Sequence, residues 1–165
     1  MQTSIEMTPL NCSGTSEEEI GRQMSNLFFS PFTFHDLQFA SLEGWYIGLK
    51  TLDEQLRLEL AQLHGMEAKR RGKKLSRKEK LTHSRFAGVE FALGSPEHHA
   101  LVKDALREKL LQNRSILIAF LQTAPRPLIH DTGFPESRFT HLPGEAFCRI
   151  LTELRTELVG MLPAS

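Results

Sequence analysis

The stretch Phe32-Thr33-Phe34-His35-Asp36-Leu37-Gln38-Phe39 contains two short runs in which apolar and polar residues alternate. An alternation with a period of two places the apolar side chains on one face of a strand. The His-Asp pair separates the two runs and is suited to a tight turn. The sequence therefore predicts a small β-hairpin here, near the amino terminus of the chain.

Beyond this hairpin the chain shows mainly the spacing of amphipathic helices. Ser41, Thr51 and Ser95 are suited to cap three of them, and Pro96 fits the first turn of the third. Together, the hairpin and the helices predict a compact, helix-rich α+β fold. The most regular apolar pattern predicts a final helix that buries Phe147, Ile150, Leu151, Leu154 and Leu158.

The length and composition of the chain fit one folded domain. It has 165 residues, of which 40% are hydrophobic and 24% are charged, as in ordinary globular proteins. Residues 1–15 are rich in Ser, Thr, Asn and Gly and lack a clear period, which is typical of a flexible tail. We therefore expect a tail over residues 1–15 and a single domain over residues 16–165.

Charge, cysteine and histidine usage argue against several classes of protein. The 20 basic residues balance the 20 acidic ones, so the overall charge favours neither a nucleic-acid nor a membrane partner. Cys12 and Cys148 lie far apart without a Cys-x-x-Cys motif, and the adjacent His98 and His99 lack the spacing of a zinc site. The first residues do not resemble a signal peptide, and no apolar run approaches the roughly 20 residues that span a bilayer. We expect a cytoplasmic protein that binds no metal and no membrane.

Positive charge is concentrated in residues 69–80, which hold eight basic residues and one acid. Because the whole chain is neutral, the remainder carries a net negative charge. A solvated, mobile basic loop, a pocket for a phosphate or diphosphate, and a contact with nucleic acid are all compatible with such a run. No aromatic residue is interleaved with these cations, which weighs against the nucleic-acid interpretation.

Several blocks of the chain, in order, resemble successive blocks of the NADAR (YbiA-like) family. Three of them are Ser41-Leu-Glu43, Gly48-Leu-Lys50 and Glu67-Ala-Lys69-Arg-Arg-Gly72-Lys. The resemblance implies a compact, helix-rich α+β fold in a divergent member of that family. It also implies cleavage of N-glycosidic bonds without a cofactor, either in phosphorylated riboflavin-pathway intermediates or in ADP-ribose attached to a guanine base. The remaining blocks lie at residues 24–32, 101–113 and 151–155.

The resemblance implies a catalytic role for Glu43 and for Lys69. Breaking an N-glycoside develops positive charge on the ribose, which a fixed carboxylate at Glu43 can stabilise while it activates water. Lys69 can attack the anomeric carbon as a neutral amine, and neighbouring cations can hold a phosphate or diphosphate. Taken as isolated residues, Glu43 also suits a helix start and Trp45 a core position. The residues expected to bind substrate in this part of the chain are Asn26, Trp45, Arg70, Arg71 and Lys73.

The chain departs from the family pattern ahead of its last helix. Typical members carry an Asp-x-x-Trp-Gly block and then Gly-x-Asn-x-Leu-Gly, and the Trp and Asn of these blocks are missing here. Either Asp131 or Glu136 replaces the family's acid, with Phe139 as the stacking ring, or the site has lost or changed its chemistry.

A catalytically silent domain that binds NAD or ADP-ribose is therefore the alternative to an N-glycosidase. In both cases the expected partner is an ADP-ribosyl or phosphoribosyl compound. Nucleic acid enters only as the carrier of a modified base.

Overall fold

The computed structural model describes residues 7–163, which contain seven α-helices and six short strands. The predicted α+β fold class is confirmed. No helix in this part of the chain is long and apolar enough to cross a bilayer. In chain order the elements are β1 (Leu10–Asn11), α1 (Glu19–Gln23), β2 (Phe32–Phe34), β3 (Leu37–Phe39), α2 (Leu42–Gly48), α3 (Glu54–Leu60), α4 (Gly65–Glu79), β4 (His83–Phe86), β5 (Val89–Ala92), α5 (Pro96–Gln112), α6 (Arg114–Leu121), β6 (Leu128–Ile129), α7 (Gly144–Leu158) and a 3-10 helix (Val159–Met161).

Two hairpins and one parallel strand pair make up the sheet structure of the described residues. The predicted hairpin is present as β2 and β3, in which Phe32 lies opposite Phe39. Its turn residues His35 and Asp36 have φ of 48° and 62°, the left-handed conformation that a two-residue turn between twisted strands requires. The strands β4 and β5 form the second hairpin.

The first described residues are anchored in the core. The backbone amides of Leu10 and Cys12 donate to the carbonyls of Pro127 and Ile129, both at 2.8 Å, because β1 pairs in parallel with β6. The side chains of Leu10, in β1, and Cys12, just after it, are fully buried. The expected flexible tail is therefore wrong from Leu10 onwards, whereas residues 7–9 are exposed and residues 1–6 lie outside the described residues.

The core contains an aromatic cluster that includes Trp45. This side chain is 1% exposed, and its ring meets the edges of Phe34 and Phe86, whose own rings stack at 5.5 Å. A ring enclosed in this way presents no face to a ligand. The ring of Trp45 therefore belongs to the core, and its Nε1 is buried with no hydrogen-bond partner among the described residues. A contact between Trp45 and substrate stays a prediction.

The basic run forms most of the helix α4, so the interpretation as a mobile loop is wrong. Its buried residues Ala68, Gly72 and Leu75 share the face that packs on α2. Gly72 permits a close approach, because a Cβ atom there would lie 2.6 Å from Cγ2 of Ile47. Charged side chains cover most of the remaining surface of α4, and its apolar stripe is correspondingly narrow.

Lys109 of α5 is fully buried and has no carboxylate within ion-pair distance among the described residues. Its Nζ donates to the carbonyls of Gln23 and Ser25 at 3.0 and 3.1 Å, which holds the turn that follows α1. Burial lowers the pKa of Lys109 to about 7. A neutral amine carries two N–H groups, which matches these two carbonyls.

Replacing Lys109 with methionine should flatten the pH dependence of stability. The folded protein holds this proton less tightly than the unfolded chain, in which the lysine has its ordinary pKa of 10.5. The contribution of Lys109 to the free energy of unfolding should therefore be fully present above pH 10.5 and be lost as the pH falls towards about 7. Urea unfolding across this window compares wild type, Lys109→Met and the exposed control Lys74→Met. If the free energy of unfolding changes with pH by the same slope in wild type and in Lys109→Met, the prediction is contradicted.

Candidate active site

Glu43, Tyr46 and Lys50 form a polar stripe along one face of α2 and just beyond its end. Their spacing of three and four residues places them on consecutive turns. The hydroxyl of Ser41 fixes the start of this helix by accepting from the backbone amide of Gly44 at 3.0 Å. We call Glu43, Tyr46 and Lys50 the α2 stripe.

The turn after α1 lies against the start of the α2 stripe. The backbone amide of Glu43 donates to the carbonyl of Asn26 at 2.8 Å. The side-chain Oδ1 of Asn26 is buried and has no hydrogen-bond partner among the described residues. Because a buried acceptor without a partner is costly, this atom is a candidate contact for a ligand.

The helix α4 packs on α2 and contributes Lys69. Nζ of Lys50 donates to the carbonyl of Gly72 at 3.4 Å and lies 5.9 Å from the centre of the Tyr46 ring. Lys69 precedes Gly72 by about one helical turn, and its positive charge acts on Glu43 together with that of Lys50. The two residues predicted to be catalytic, Glu43 and Lys69, are thus within electrostatic reach of each other, and their catalytic roles stay predictions.

Burial shifts the protonation equilibria of all three residues of the α2 stripe. It raises the pKa of Glu43, and the positive charges of Lys50 and Lys69 oppose this change. It lowers the pKa of Lys50, against the negative charge of Glu43. It raises the pKa of Tyr46, and the charge of Glu43 adds to that effect. A carboxyl group that holds its proton longer and an amine that loses it more readily suit acid–base and nucleophilic chemistry.

His98 of α5 stacks on Tyr46, with 5.6 Å between the ring centres. Its Nδ1 accepts from the backbone amide of Gly94 at 2.9 Å, which assigns the hydrogen of the neutral ring to Nε2. That Nε2 is buried without a partner among the described residues. Burial, with the charges of His99 and His141, lowers the pKa of His98 to about 4, so the ring is neutral at physiological pH.

His141 brings the loop before α7 to the edge of this site. Its backbone carbonyl lies 2.7 Å from Nε2 of His99. Its own pKa is lowered by burial and by the positive charge of Lys50, which places the imidazole within electrostatic reach of the α2 stripe. The loop therefore contributes to the site through a residue that the sequence did not indicate.

The two acids expected to replace the family's missing acid hold their own loop together. Oδ1 of Asp131 accepts from the backbone amide of Gly133 at 2.8 Å. Oε2 of Glu136 accepts from the amide of Gly144 at 2.6 Å, at the start of α7. Among the described residues, no hydrogen bond or ion pair joins either carboxylate to the α2 stripe, so the expectation that one of them supplies the missing acid stays a prediction.

No hydrogen bond or ion pair among the described residues joins Phe139 or the predicted phosphate-binding cations to the α2 stripe. Phe139 is 75% exposed, and the guanidinium of Arg138 lies 5.0 Å from the centre of its ring. Arg70 and Lys73 are exposed on the outer face of α4, and Arg71 is half-buried on its flank. Lys69 is therefore the residue of the basic run that acts on Glu43.

Sequence reasoning did not single out Tyr46, Lys50, His98 or His141 as site residues. The seven-residue interval from Glu43 to Lys50, with Tyr46 between them, is a pattern that could have identified the first two. The histidines lie far along the chain and have no local signal. Within residues 7–163, no group of three or more His, Cys, Asp and Glu side chains is arranged to hold a metal ion.

Fold and site together define a YbiA-like α+β protein with a buried carboxyl–lysine cluster. The NMR structure of the E. coli protein YbiA is similar over 96% of this chain and 91% of that chain, with a TM-score of 0.55 and 19% sequence identity. The chain belongs to the family of bacteriophage protein GP30.3, whose model matches residues 19–156. No curated protein matches the sequence. The expected YbiA-like fold is confirmed, whereas the matching family carries the name of the phage protein and not that of NADAR.

The charge coupling between Glu43 and Lys50 should be visible in the titration of the lysine. Because the Glu43 carboxylate raises the pKa of Lys50 against the effect of burial, Glu43→Gln should lower that pKa further. Carbon NMR of the lysine side chains across pH measures the change, with the signal assigned by its loss in Lys50→Arg. Glu59→Gln, at an exposed acid of α3, is the control and should leave the pKa of Lys50 unchanged. An unchanged pKa of Lys50 in Glu43→Gln would show that Glu43 and Lys50 do not interact.

Proposed function

We propose that the protein is an N-glycosidase that hydrolyses an ADP-ribosyl or phosphoribosyl N-glycoside. ADP-ribosylated guanine and a phosphorylated riboflavin-pathway intermediate are examples of such substrates. The observation that carries the proposal is the carboxyl group of Glu43, on which Lys50 and Lys69 act. The YbiA-like fold and the resemblance of the blocks around these residues support it.

The reaction breaks the bond between C1′ of the ribose and a ring nitrogen of the base. The base leaves with the electron pair of that bond and takes a proton from the carboxyl group of Glu43, whose raised pKa keeps the proton available closer to neutral pH. The resulting carboxylate stabilises the positive charge that develops on the ribose. Water then supplies the hydroxyl that ends on C1′ and the proton that returns to Glu43.

A covalent version of this reaction uses a lysine, and we assign that role to Lys69. Its neutral amine attacks C1′ and displaces the base, and opening of the ribose ring then gives an imine. Water hydrolyses the imine, which releases the sugar and restores the amine. Lys50 is the second candidate, because burial lowers its pKa and so increases the fraction of neutral amine.

Glu43→Gln should lower turnover by roughly 100- to 10,000-fold while the melting temperature stays close to that of wild type. The substitution keeps the size of the side chain and removes its proton and charge. Release of free base from ADP-ribosylated guanosine and from phosphoribosylated pyrimidine intermediates measures the activity. Glu59→Gln serves as the exposed control. Near-normal turnover in Glu43→Gln would refute the role, and a variant that unfolds would make Glu43 a structural residue.

Lys69→Arg should bind the substrate nearly as well as wild type but fail to turn it over. Arginine keeps the positive charge, but its guanidinium stays protonated and is not a usable nucleophile. Borohydride added during turnover should trap the sugar on Lys69, and mass spectrometry of peptides locates the adduct. An adduct on Lys50 would move the covalent role to that residue. No adduct, together with an active Lys69→Arg, would show that the covalent role is wrong.

The second candidate function is a catalytically silent domain that senses NAD or ADP-ribose. The loop before α7 favours it, because Asp131 and Glu136 are engaged by backbone amides and Phe139 is turned to solvent. Calorimetry with ADP-ribose separates the two functions when combined with the assay for free base. Binding without turnover supports the sensor, and the absence of binding to any nucleotide excludes it.

A further inference from the structure

The outer face of α4 carries a row of exposed cations, of which Lys74, Arg77 and Lys78 have no role in the proposed glycosidase site. Along the helix this row extends over about 12 Å from its first to its last member, and its side chains line one shallow hollow. The members are Arg70, Lys73, Lys74, Arg77 and Lys78. We call this row the α4 cationic face.

The charge of the α4 cationic face is not neutralised within the described part of the chain. None of its five side chains lies within ion-pair distance of a carboxylate there. By contrast, Lys103, Arg107 and Arg126 each pair with acids elsewhere on the surface. Since the whole chain has no net charge, this face is a local positive field on an otherwise negative protein.

The packing of α4 favours a linear polyanion over a membrane as the partner. Helices that bind membranes bury an apolar face in the lipid interface. Ala68, Gly72 and Leu75 of α4 are buried against the rest of the protein, and Met66 in its first turn is its one exposed large apolar side chain, at 53%. The helix therefore offers the partner charged groups and long methylene chains, but it has no apolar face that could enter a membrane.

An exposed aromatic pair lies at the amino-terminal end of the same helix. The rings of Phe29 and His64 are 5.0 Å apart, Phe29 is 54% exposed, and His64 immediately precedes α4. Proteins that bind single-stranded nucleic acid combine cations along the backbone with aromatic rings on which bases stack. The basic run lacks such a ring in sequence, and the fold supplies one from outside the run.

We propose that the α4 cationic face is a docking surface for the phosphate backbone of single-stranded nucleic acid, with a base stacked on the Phe29–His64 pair. The unpaired bases of a single strand are free to reach this pair, whereas those of a duplex are stacked within it. This inference does not rest on the glycosidase proposal, because it concerns binding of unmodified strands.

Fluorescence anisotropy with a labelled oligodeoxythymidylate of about 15 nucleotides tests the surface. Affinity should fall steeply as salt rises. The logarithm of the binding constant, plotted against the logarithm of the salt concentration, should have a slope of about −0.7 for each phosphate contact. The triple variant Lys74→Gln, Arg77→Gln, Lys78→Gln should bind more weakly, and its slope should be smaller by about 2. The matched control, Arg85→Gln, Arg114→Gln, Arg149→Gln, loses the same charge at exposed positions elsewhere and should keep the wild-type slope.

The aromatic part of the surface is tested with Phe29→Ala. It should weaken binding of the single strand by roughly one to two orders of magnitude without changing the salt slope. Phe134→Ala, at another exposed phenylalanine, is the control and should bind like wild type.

Three outcomes would overturn the proposal. They are equal weakening in the two triple variants, binding that does not depend on salt, and binding of anionic phospholipid vesicles but not of the oligonucleotide. A duplex bound as tightly as the single strand, by wild type and Phe29→Ala alike, would overturn the assignment to single strands.

Discussion

The close contact between α2 and α4 at Gly72 determines most of what the protein presents to a ligand. Gly72 is buried against Ile47, and a side chain in its place would overlap Cγ2 of that residue. Because α4 lies this close, the carbonyl of Gly72 accepts from Lys50, and Lys69 acts on Glu43. The same contact fixes which face of α4 points to solvent, and therefore where the remaining cations lie.

Within the α2 stripe, burial and charge have opposite effects on the same groups. Burial favours the neutral forms of Glu43 and Lys50, while the attraction between their charges favours the ionised forms. The charge on each group therefore shifts the pKa of the other. A ligand that excludes water or brings a phosphate shifts this balance, and that is how substrate binding would be coupled to proton transfer.

Local features of the fold could be predicted from sequence, whereas pairings between distant segments could not. The alternation in β2 and β3 and the helical period of α7 lie within single stretches of chain. The strands β1 and β6 have two residues each, too few for a pattern, and they pair across most of the chain. The same distinction applies to the site. Glu43 belongs to a recognisable block of sequence, whereas only the fold brings His98 and His141 to the site.

The acids in the loop before α7 bear on which catalytic mechanism the proposed N-glycosidase can use. Glycosidases that use two carboxylates place them about 5 to 10 Å apart across the scissile bond. One of the loop acids Asp131 and Glu136 is expected to replace the family's missing acid, but Asp131 accepts from the backbone amide of Gly133 in its own loop and Glu136 from that of Gly144 at the start of α7. The charged groups that act on Glu43 are instead the two lysines, Lys50 and Lys69. For the proposed N-glycosidase, these residues favour a nucleophilic amine, with one carboxyl group to move the protons, over a pair of carboxylates.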